Sequence, residues 1–346
     1  MKSLQVKSQH SAFLKMLIKL IGDELFYRDG ERFGSSESGI SVSSALYMGG
    51  DNSVTYHVER DGSVVPDTHT ERFKHSIVNG NIIEEYLPTK EFLTFCRNAD
   101  KFTGQRAKHN LDSVAMGKRC VSTNGHVAYI YDEQVFSQEV GLDAEFVRFI
   151  GNPWISFQTM SVVDDGGMYV ASSGYILVGE EHCYFDISQK LKDHDYPDVD
   201  SVMSKFLGEG VKYSFDASEV FDIVRSTKVK LADKEKYAIR MRSDGSAVFI
   251  TPYSYKFDRG GRTVEPMQDD VELLGIDAPD NIPEFDLAID TVYMKQLNIE
   301  SSTDGPVLIN VLNFSQQYMG NTNPILVDYG NQLVALAIGK NMTDYV

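Results

Sequence analysis

Cysteine is scarce in this chain: Cys96, Cys120 and Cys183 are an odd number with no close spacing. Neither a disulfide framework nor a cysteine-based zinc site is expected, and a reducing cytoplasm fits. Long apolar runs are also missing. The stretch from Ala12 to Ile21 is interrupted by Lys15 and Lys19, so it is expected to be neither a secretory leader nor a membrane span, and no other segment approaches the roughly 20 apolar residues that cross a bilayer. No Pro-rich, Gly/Ser-rich or low-complexity linker occurs, so domains should pack closely, with a boundary at the Gly208-Glu-Gly210 turn. There is no Gly-x-Ser-x-Gly elbow and no Gly-x4-Gly-Lys-Ser/Thr phosphate loop, so no enzyme activity and no cofactor are expected. Asp193-His194-Asp195 are three adjacent loop residues without a distant fourth ligand, which argues against a metal site. Basic charge is in deficit too: 33 Lys and Arg against 50 Asp and Glu leave −17. Taken alone, that balance places the chain away from nucleic acid.

What is present is a repeat. A few extended residues, a small polar or acidic residue, and a short amphipathic helix bearing Lys or Arg recur five times. The copies run from Leu4-Gln5-Val6 into Ser11-Ala-Phe-Leu-Lys15, from Tyr86-Leu87-Pro88-Thr89 into Glu91 to Arg97, and from Val140-Gly-Leu-Asp143 into Glu145 to Arg148. The last two run from Tyr213-Ser-Phe-Asp216 into Val220 to Arg225, and from Leu287-Ala-Ile-Asp290 into Val292 to Lys295. Such self-similarity means one supersecondary unit used several times.

Strand-like segments with turn residues follow each helix. Asn124-Gly125 breaks Arg119 to Ser122 from Val127 to Tyr131, Asp164-Asp-Gly-Gly167 and Ser173-Gly174 divide the next group, and Ser243-Asp-Gly-Ser246 the one after. After the fifth helix the strands are Val307 to Phe314, Pro324 to Tyr329 and Leu333 to Ile338. Each unit therefore reads as one strand, one helix and about three antiparallel strands, an α+β plan in which paired units make a domain. The pairing predicts domains at 84–205 and 206–346, with a shorter N-terminal block at 1–83 that contains strand-like Ser53 to Val58 and Gly62 to Val65. Trp154 is expected in a core.

The helices, taken as 11–21, 89–101, 143–150, 217–230 and 290–298, sum to +3, so the rest of the chain carries −20. Asp143, Asp216 and Asp290 fall at N-caps, where they meet the positive dipole end, and Asp216-Ala-Ser-Glu219 has capping-box spacing. The bases come later in each helix. An acidic body with weakly basic equivalent helices suits a surface that touches phosphates without reading bases. The same Lys and Arg would serve equally to solvate outer helix faces.

Two segments are more specific. Cys120-Val-Ser-Thr-Asn-Gly-His126-Val-Ala-Tyr resembles the Ala-Thr-Asp-Gly-His-Arg-Leu-Ala segment of bacterial DNA polymerase III β sliding clamps, and Asp195-Tyr-Pro-Asp198-Val-Asp-Ser-Val-Met203 resembles their Phe-Pro-Asp-Tyr-x-x-Val-Leu segment. The closing strand Gln332 to Ile338 sits where that family ends on an apolar strand. The likeness is to a divergent, phage-encoded clamp. It implies the DNA-clamp fold: antiparallel sheets outside, helices lining a central hole, and a homo-oligomeric ring that encircles duplex DNA without sequence preference. The bases it would place toward DNA are Lys15, Lys19, Arg97, Lys101, Arg106, Lys108, Arg148, Arg225, Lys228 and Lys295.

It further implies a groove for short motifs of a DNA polymerase and a clamp-loader ATPase, at Thr123, Gly125, His126, Val127 and Ala128, with Ser204, Leu207, Leu336, Ile338 and Met342. Val127 stands where the family has Arg, and Ser204 where it has Pro. Read from its residues alone, Thr123 to Ala128 is also an ordinary hairpin with a structural His. Rings of this family total twelve units, so five per chain leave a dimer and a trimer both open. A monomeric clamp-fold DNA-binding subunit and a β-rich structural protein of a virus particle are the other functions compatible with the sequence.

Overall fold

The computed structural model describes residues 33–34, 40–47, 55–58, 64–67, 80–104, 111–153, 155–178, 181–191, 196, 211–226, 235–258, 261–273, 275–276, 284–299, 306–313 and 322–341. The chain divides into two compact units. One comprises Met1–Asp100, Asp112–Cys120 and Glu133–Tyr196, the other Lys101–Leu111, Val121–Asp132 and Pro197–Val346.

In the first unit, strands β1 (Phe33–Gly34), β2 (Ile40–Tyr47), β3 (Thr55–Val58), β4 (Val64–Asp67) and β5 (Asn81–Tyr86) precede helix α1 (Lys90–Ala99). Strand β6 (Ser113–Met116) follows; β7 (Cys120–Thr123) leads out of this unit and β8 (Val127–Tyr131) belongs to the second. Back in the first come β9 (Val140–Asp143), α2 (Ala144–Ile150), β10 (Ser156–Asp164), β11 (Met168–Val178) and β12 (Glu181–Lys190). The main sheet is ordered β4-β3-β2-β12-β11-β10-β5, with β1 on β2, while β6 pairs with β9. All its described pairings are antiparallel.

Helix α1 forms because its start is capped and one face is apolar. The Thr89 hydroxyl accepts the Phe92 N–H at 3.1 Å, and Phe92, Phe95, Cys96 and Ala99, at i, i+3, i+4 and i+7, are fully buried. Helix α2 buries Phe146, Val147, Phe149 and Ile150. The two helices pack so tightly at Gly151 that a Cβ there would lie 2.1 Å from the Arg97 nitrogen and 2.5 Å from the Cys96 carbonyl carbon. Arg97 Nε donates to the Gly151 carbonyl at 3.2 Å, which satisfies an acceptor at the end of α2. At the other end, the Gln189 side chain accepts the Asp143 N–H at 3.0 Å and ties α2 to β12. Burial pushes both the Cys96 and Cys120 thiols up, so these two cysteines are inert core residues.

The second unit runs β13 (Val211–Asp216), α3 (Ala217–Ser226), β14 (Glu235–Ser243), β15 (Val248–Asp258), β16 (Gly261–Pro266), β17 (Val271–Leu273), β18 (Gly275–Ile276) and β19 (Phe285–Asp290). It closes with α4 (Thr291–Gln296), β20 (Leu308–Asn313), β21 (Thr322–Asp328) and β22 (Leu333–Asn341). Its strands are ordered β16-β15-β14-β19-β22-β21-β20-β13-β18. Strand β22 has two partners along one edge: Leu333 to Ala337 pair with Tyr131 to Val127 of β8, and Lys340 and Asn341 with Ala288 and Leu287 of β19. Helix α3 repeats the apolar spacing of α1 with Ala217, Val220, Phe221 and Val224 buried.

Four of the five phrases are thus a strand, a short helix and three or more strands, and the fold class is α+β with antiparallel sheets as expected. The first phrase, Leu4 to Ile21, lies outside the described residues, as do Trp154, Asp193 to Asp195 and the Gly208 turn.

Several local expectations are corrected. Ser173-Gly174 does not end a strand: β11 runs through it, with Gly174 opposite Phe157 beside a register shift in β10, a place where a strand tolerates glycine. The third strand of that group is β12 instead. The Asn124-Gly125 turn forms as expected, with Gly125 at a φ of 85°. Asp216 accepts from the Ser218 N–H at 2.8 Å, one residue earlier than a capping box requires. Asp143 stands at its N-cap without a side-chain cap bond, whereas Asp290 accepts the Val292 N–H at 2.9 Å.

Candidate functional site

The helix-borne bases take the faces left over by the apolar stripes. Arg97, Lys101, Arg148, Arg225 and Lys295 are all exposed. Their environments differ. Arg97 is partly committed by its bond to Gly151. Arg148 pairs with Asp100 at 3.1 Å while its side chain stays 57% exposed. Arg225 pairs with Asp222 one turn earlier and stays 63% exposed, and Lys295 occupies the last turn of α4. Exposed pairs of this kind contribute about 0 to 1 kcal/mol. Each guanidinium is therefore held outward at little cost and can exchange its carboxylate for a phosphate. Lys15, Lys19, Arg106, Lys108 and Lys228 lie outside the described residues.

The Asn-Gly-His hairpin is rigid because its own side chains close it. Thr123 Oγ1 donates to the Val127 carbonyl at 2.7 Å and accepts the Gly125 N–H at 3.0 Å. Asn124 Oδ1 accepts the N–H groups of His126 at 2.9 Å and Val127 at 3.0 Å. The exposed His126 ring then stacks on Tyr293 of α4, with centroids 5.0 Å apart and planes at 21°.

The β8–β22 ladder sets Ala128 opposite Leu336 and Val127 opposite Ala337. Thr123, Gly125, His126, Val127, Ala128 and Leu336 therefore share one neighbourhood. Within it, Thr123, Val127, Ala128 and Leu336 are at most 8% exposed, while Gly125 and His126 reach solvent. Ile338 pairs with Pro324 across β21–β22, and Ser204, Leu207 and Met342 lie outside the described residues. Sequence reading missed Tyr293 and its exposed neighbour Val292; the only signal was their place just after the Asp290 cap of the fifth phrase.

An aromatic column braces this neighbourhood. Phe102 stacks on Tyr129 at 4.9 Å, Tyr129 meets Tyr329 edge to face at 6.0 Å, and the Tyr329 hydroxyl donates to the Leu297 carbonyl at 2.6 Å. Burial pushes the Tyr329 phenol up, so it remains a donor. Gln296 Nε2 adds a bond to the Lys101 carbonyl at 3.3 Å. Helix α4 and the hairpin are thereby fixed to one support.

The turn into β22 is strained. Gly330, Asn331 and Gln332 have φ of 79°, 50° and 67°, and the Gln332 carbonyl accepts the Asp132 N–H at 2.9 Å, which starts the β8–β22 ladder. A left-handed conformation costs a side-chain-bearing residue about 1 to 2 kcal/mol. Gln332→Gly is accordingly expected to stabilise the protein by about 0.5 to 1 kcal/mol after the unfolded-state entropy of glycine is offset. Denaturant titration checks this; an unchanged or lowered midpoint would show that the Gln332 side chain matters more than its backbone.

Among the described residues, no group of three or more His, Cys, Asp or Glu side chains is placed to hold a metal ion, and no helix is long and apolar enough to cross a membrane. No protein-family model and no curated protein matches the chain. Solved structures do. The DNA polymerase sliding clamp of Bacillus subtilis is similar at 12% identity and a TM-score of 0.56, over 97% of this chain and 98% of that one. The sliding clamp of Caulobacter crescentus is similar at 11% identity and 0.54, over 95% and 97%. The Helicobacter pylori β clamp, solved bound to a DNA ligase peptide, is similar at 12% identity and 0.55, over 97% and 99%. From end to end, the chain has the fold of the bacterial DNA polymerase sliding clamps.

Proposed function

We infer that the protein is a sliding clamp: a non-enzymatic processivity factor that encircles duplex DNA as a homo-oligomeric ring and tethers a replicative polymerase. The observation that carries this reading is the correspondence of nearly the whole chain, 97%, with nearly the whole of a clamp, 98%. Exposed bases on four equivalent helices support it, because sliding needs weak, sequence-independent contact with phosphates. In this reading the blocks 1–83, 84–205 and 206–346 are its domains, a separate clamp-loader ATPase opens the ring, and the protein works in the cytoplasm. The hairpin at Thr123 to Ala128, with Leu336 and Tyr293, is its docking place for polymerase and loader motifs; that a clamp of this fold takes a partner's peptide is supported by the Helicobacter clamp solved with a DNA ligase peptide.

The test is topological. Loaded on nicked circular DNA, the protein should stay through gel filtration and be released when the circle is cut. Equal loss from circular and linear DNA overturns encirclement. Binding to linear DNA that weakens steeply with salt would then select a monomeric clamp-fold subunit.

A further inference from the structure

Six large apolar side chains are exposed among the described residues, and three of them fall between Ile82 and Leu87. Ile82 is 62% exposed, Ile83 58% and Leu87 68%. Singly exposed apolar residues need no explanation; a contiguous group does.

The backbone accounts for the grouping. Strand β5 pairs with β10 so that Ile82 faces Val163 and Glu84 faces Val162, which leaves Ile83 without an opposite residue. This bulge re-aims one side chain. Without it, Ile82 and Ile83 would point to opposite sides of the sheet. With it, Ile82, Ile83, Glu85 and Leu87 are all exposed, while Glu84 and Tyr86 are half-buried. Glu84 turns away to accept the Ser137 N–H at 2.8 and 2.9 Å and the Ser137 hydroxyl at 2.9 Å. The apolar group is rimmed by acids: Glu85 lies within it, and exposed Asp164 and Asp165 stand at its start, where Asp164 pairs with Asn81.

These features select among occupants. A strand added along the edge of β5 would meet a ladder broken by the bulge, which is how edge strands are kept from pairing. A second copy of this face would bring its own Glu85, Asp164 and Asp165 against those of the first, and like charges brought together destabilise. A face with apolar residues and an acidic rim, on a chain of net charge −17, suits a segment that is apolar and basic.

We propose that Ile82, Ile83 and Leu87 form a second protein-docking surface, separate from the Thr123 to Ala128 hairpin. Its occupant is a helical segment of a partner protein that carries apolar side chains at i and i+3 or i+4 and a Lys or Arg facing Glu85.

A random dodecapeptide library displayed on phage and panned against the intact protein tests this directly. The expected consensus has two apolar residues at helical spacing and a Lys or Arg. Fluorescence anisotropy of the synthetic consensus peptide should show affinity falling at least about tenfold on Leu87→Asp, falling again on Glu85→Lys, and unmoved by His126→Ala. Thermal melting of Leu87→Asp should match the parent, since the side chain is mostly solvated; should it not, Glu85→Lys alone carries the comparison. Selection of acidic peptides or of none, equal binding to the altered surface, or sensitivity to His126→Ala instead would overturn the proposal. A change of sedimentation coefficient on Leu87→Asp would also overturn it, by making the surface a contact between copies.

Discussion

Gly151→Ala is expected to destabilise the first unit by about 3 kcal/mol or more, seen as a loss of roughly 10 °C in the far-UV melting midpoint. The cause is space, not conformation. Gly151 has a φ of −72°, which any residue adopts. An added Cβ would instead lie 2.1 Å from a backbone nitrogen and 2.5 Å from a backbone carbon of α1. Backbone atoms cannot swing aside as the end of a side chain can, so α1 and α2 must separate and expose apolar side chains that each buries, Phe95 on α1 and Phe146 and Phe149 on α2. Gly166→Ala provides the contrast. There φ is 65° and nothing lies within 4 Å of the added Cβ, so only the conformational cost of about 1 kcal/mol applies. Similar losses at both positions would show that the helices do not abut at Gly151.

The second large effect is on DNA. Each phosphate contact removed lowers the slope of log affinity against log salt by about 0.9. Arg148→Gln, Arg225→Gln and Lys295→Gln together should therefore reduce that slope by roughly 2 to 3 per chain, with little change in melting temperature because all three side chains are exposed. Arg97 is left out because its Nε holds the Gly151 carbonyl, and its loss would mix stability with binding. The acid partners supply a change of opposite sign: Asp222→Asn releases Arg225 and should strengthen DNA binding. An unchanged salt slope in the triple variant, measured by anisotropy on duplex DNA, would remove these helix faces from the DNA surface. Weaker binding after Asp222→Asn would show that the acid holds Arg225 in its working position.

The repeat was legible because its causes are local. A cap and its helix span a few residues: Thr89 with Phe92, Asp216 with Ser218, Asp290 with Val292. The apolar stripe of α1 recurs at the helical period within one element, and Asn124-Gly125 announces its turn in the sequence itself. Ser173-Gly174 misled for the same reason. Glycine normally punctuates a strand, but β11 continues because partners on both sides, in β10 and β12, hold it extended.

The candidate site was half legible. Its hairpin residues carry a recognisable order, and the resemblance supplied Leu336 as a member. Tyr293 could not be found in that way. Its contact with His126 depends on where α4 rests relative to the hairpin, which is fixed by Tyr329 donating to Leu297 and by Gln296 donating to Lys101, bonds between residues distant in the chain. The bulge at Ile83 was equally hidden, since Asn-Ile-Ile-Glu-Glu-Tyr reads as an ordinary strand until its register against β10 is known.

By itself the sequence determined the unit, its four described helices, the Asp216 and Asp290 caps and which positions of those helices carry charge, because propensity, periodicity and capping act within one or two turns of chain. Tertiary structure decided which edges meet: β22 hands over from β8 to β19, α1 closes on Gly151, and His126 comes to lie on Tyr293. Those choices rest on how whole apolar faces fit and on cross-strand register, which many sequences of the same local pattern could satisfy in other ways.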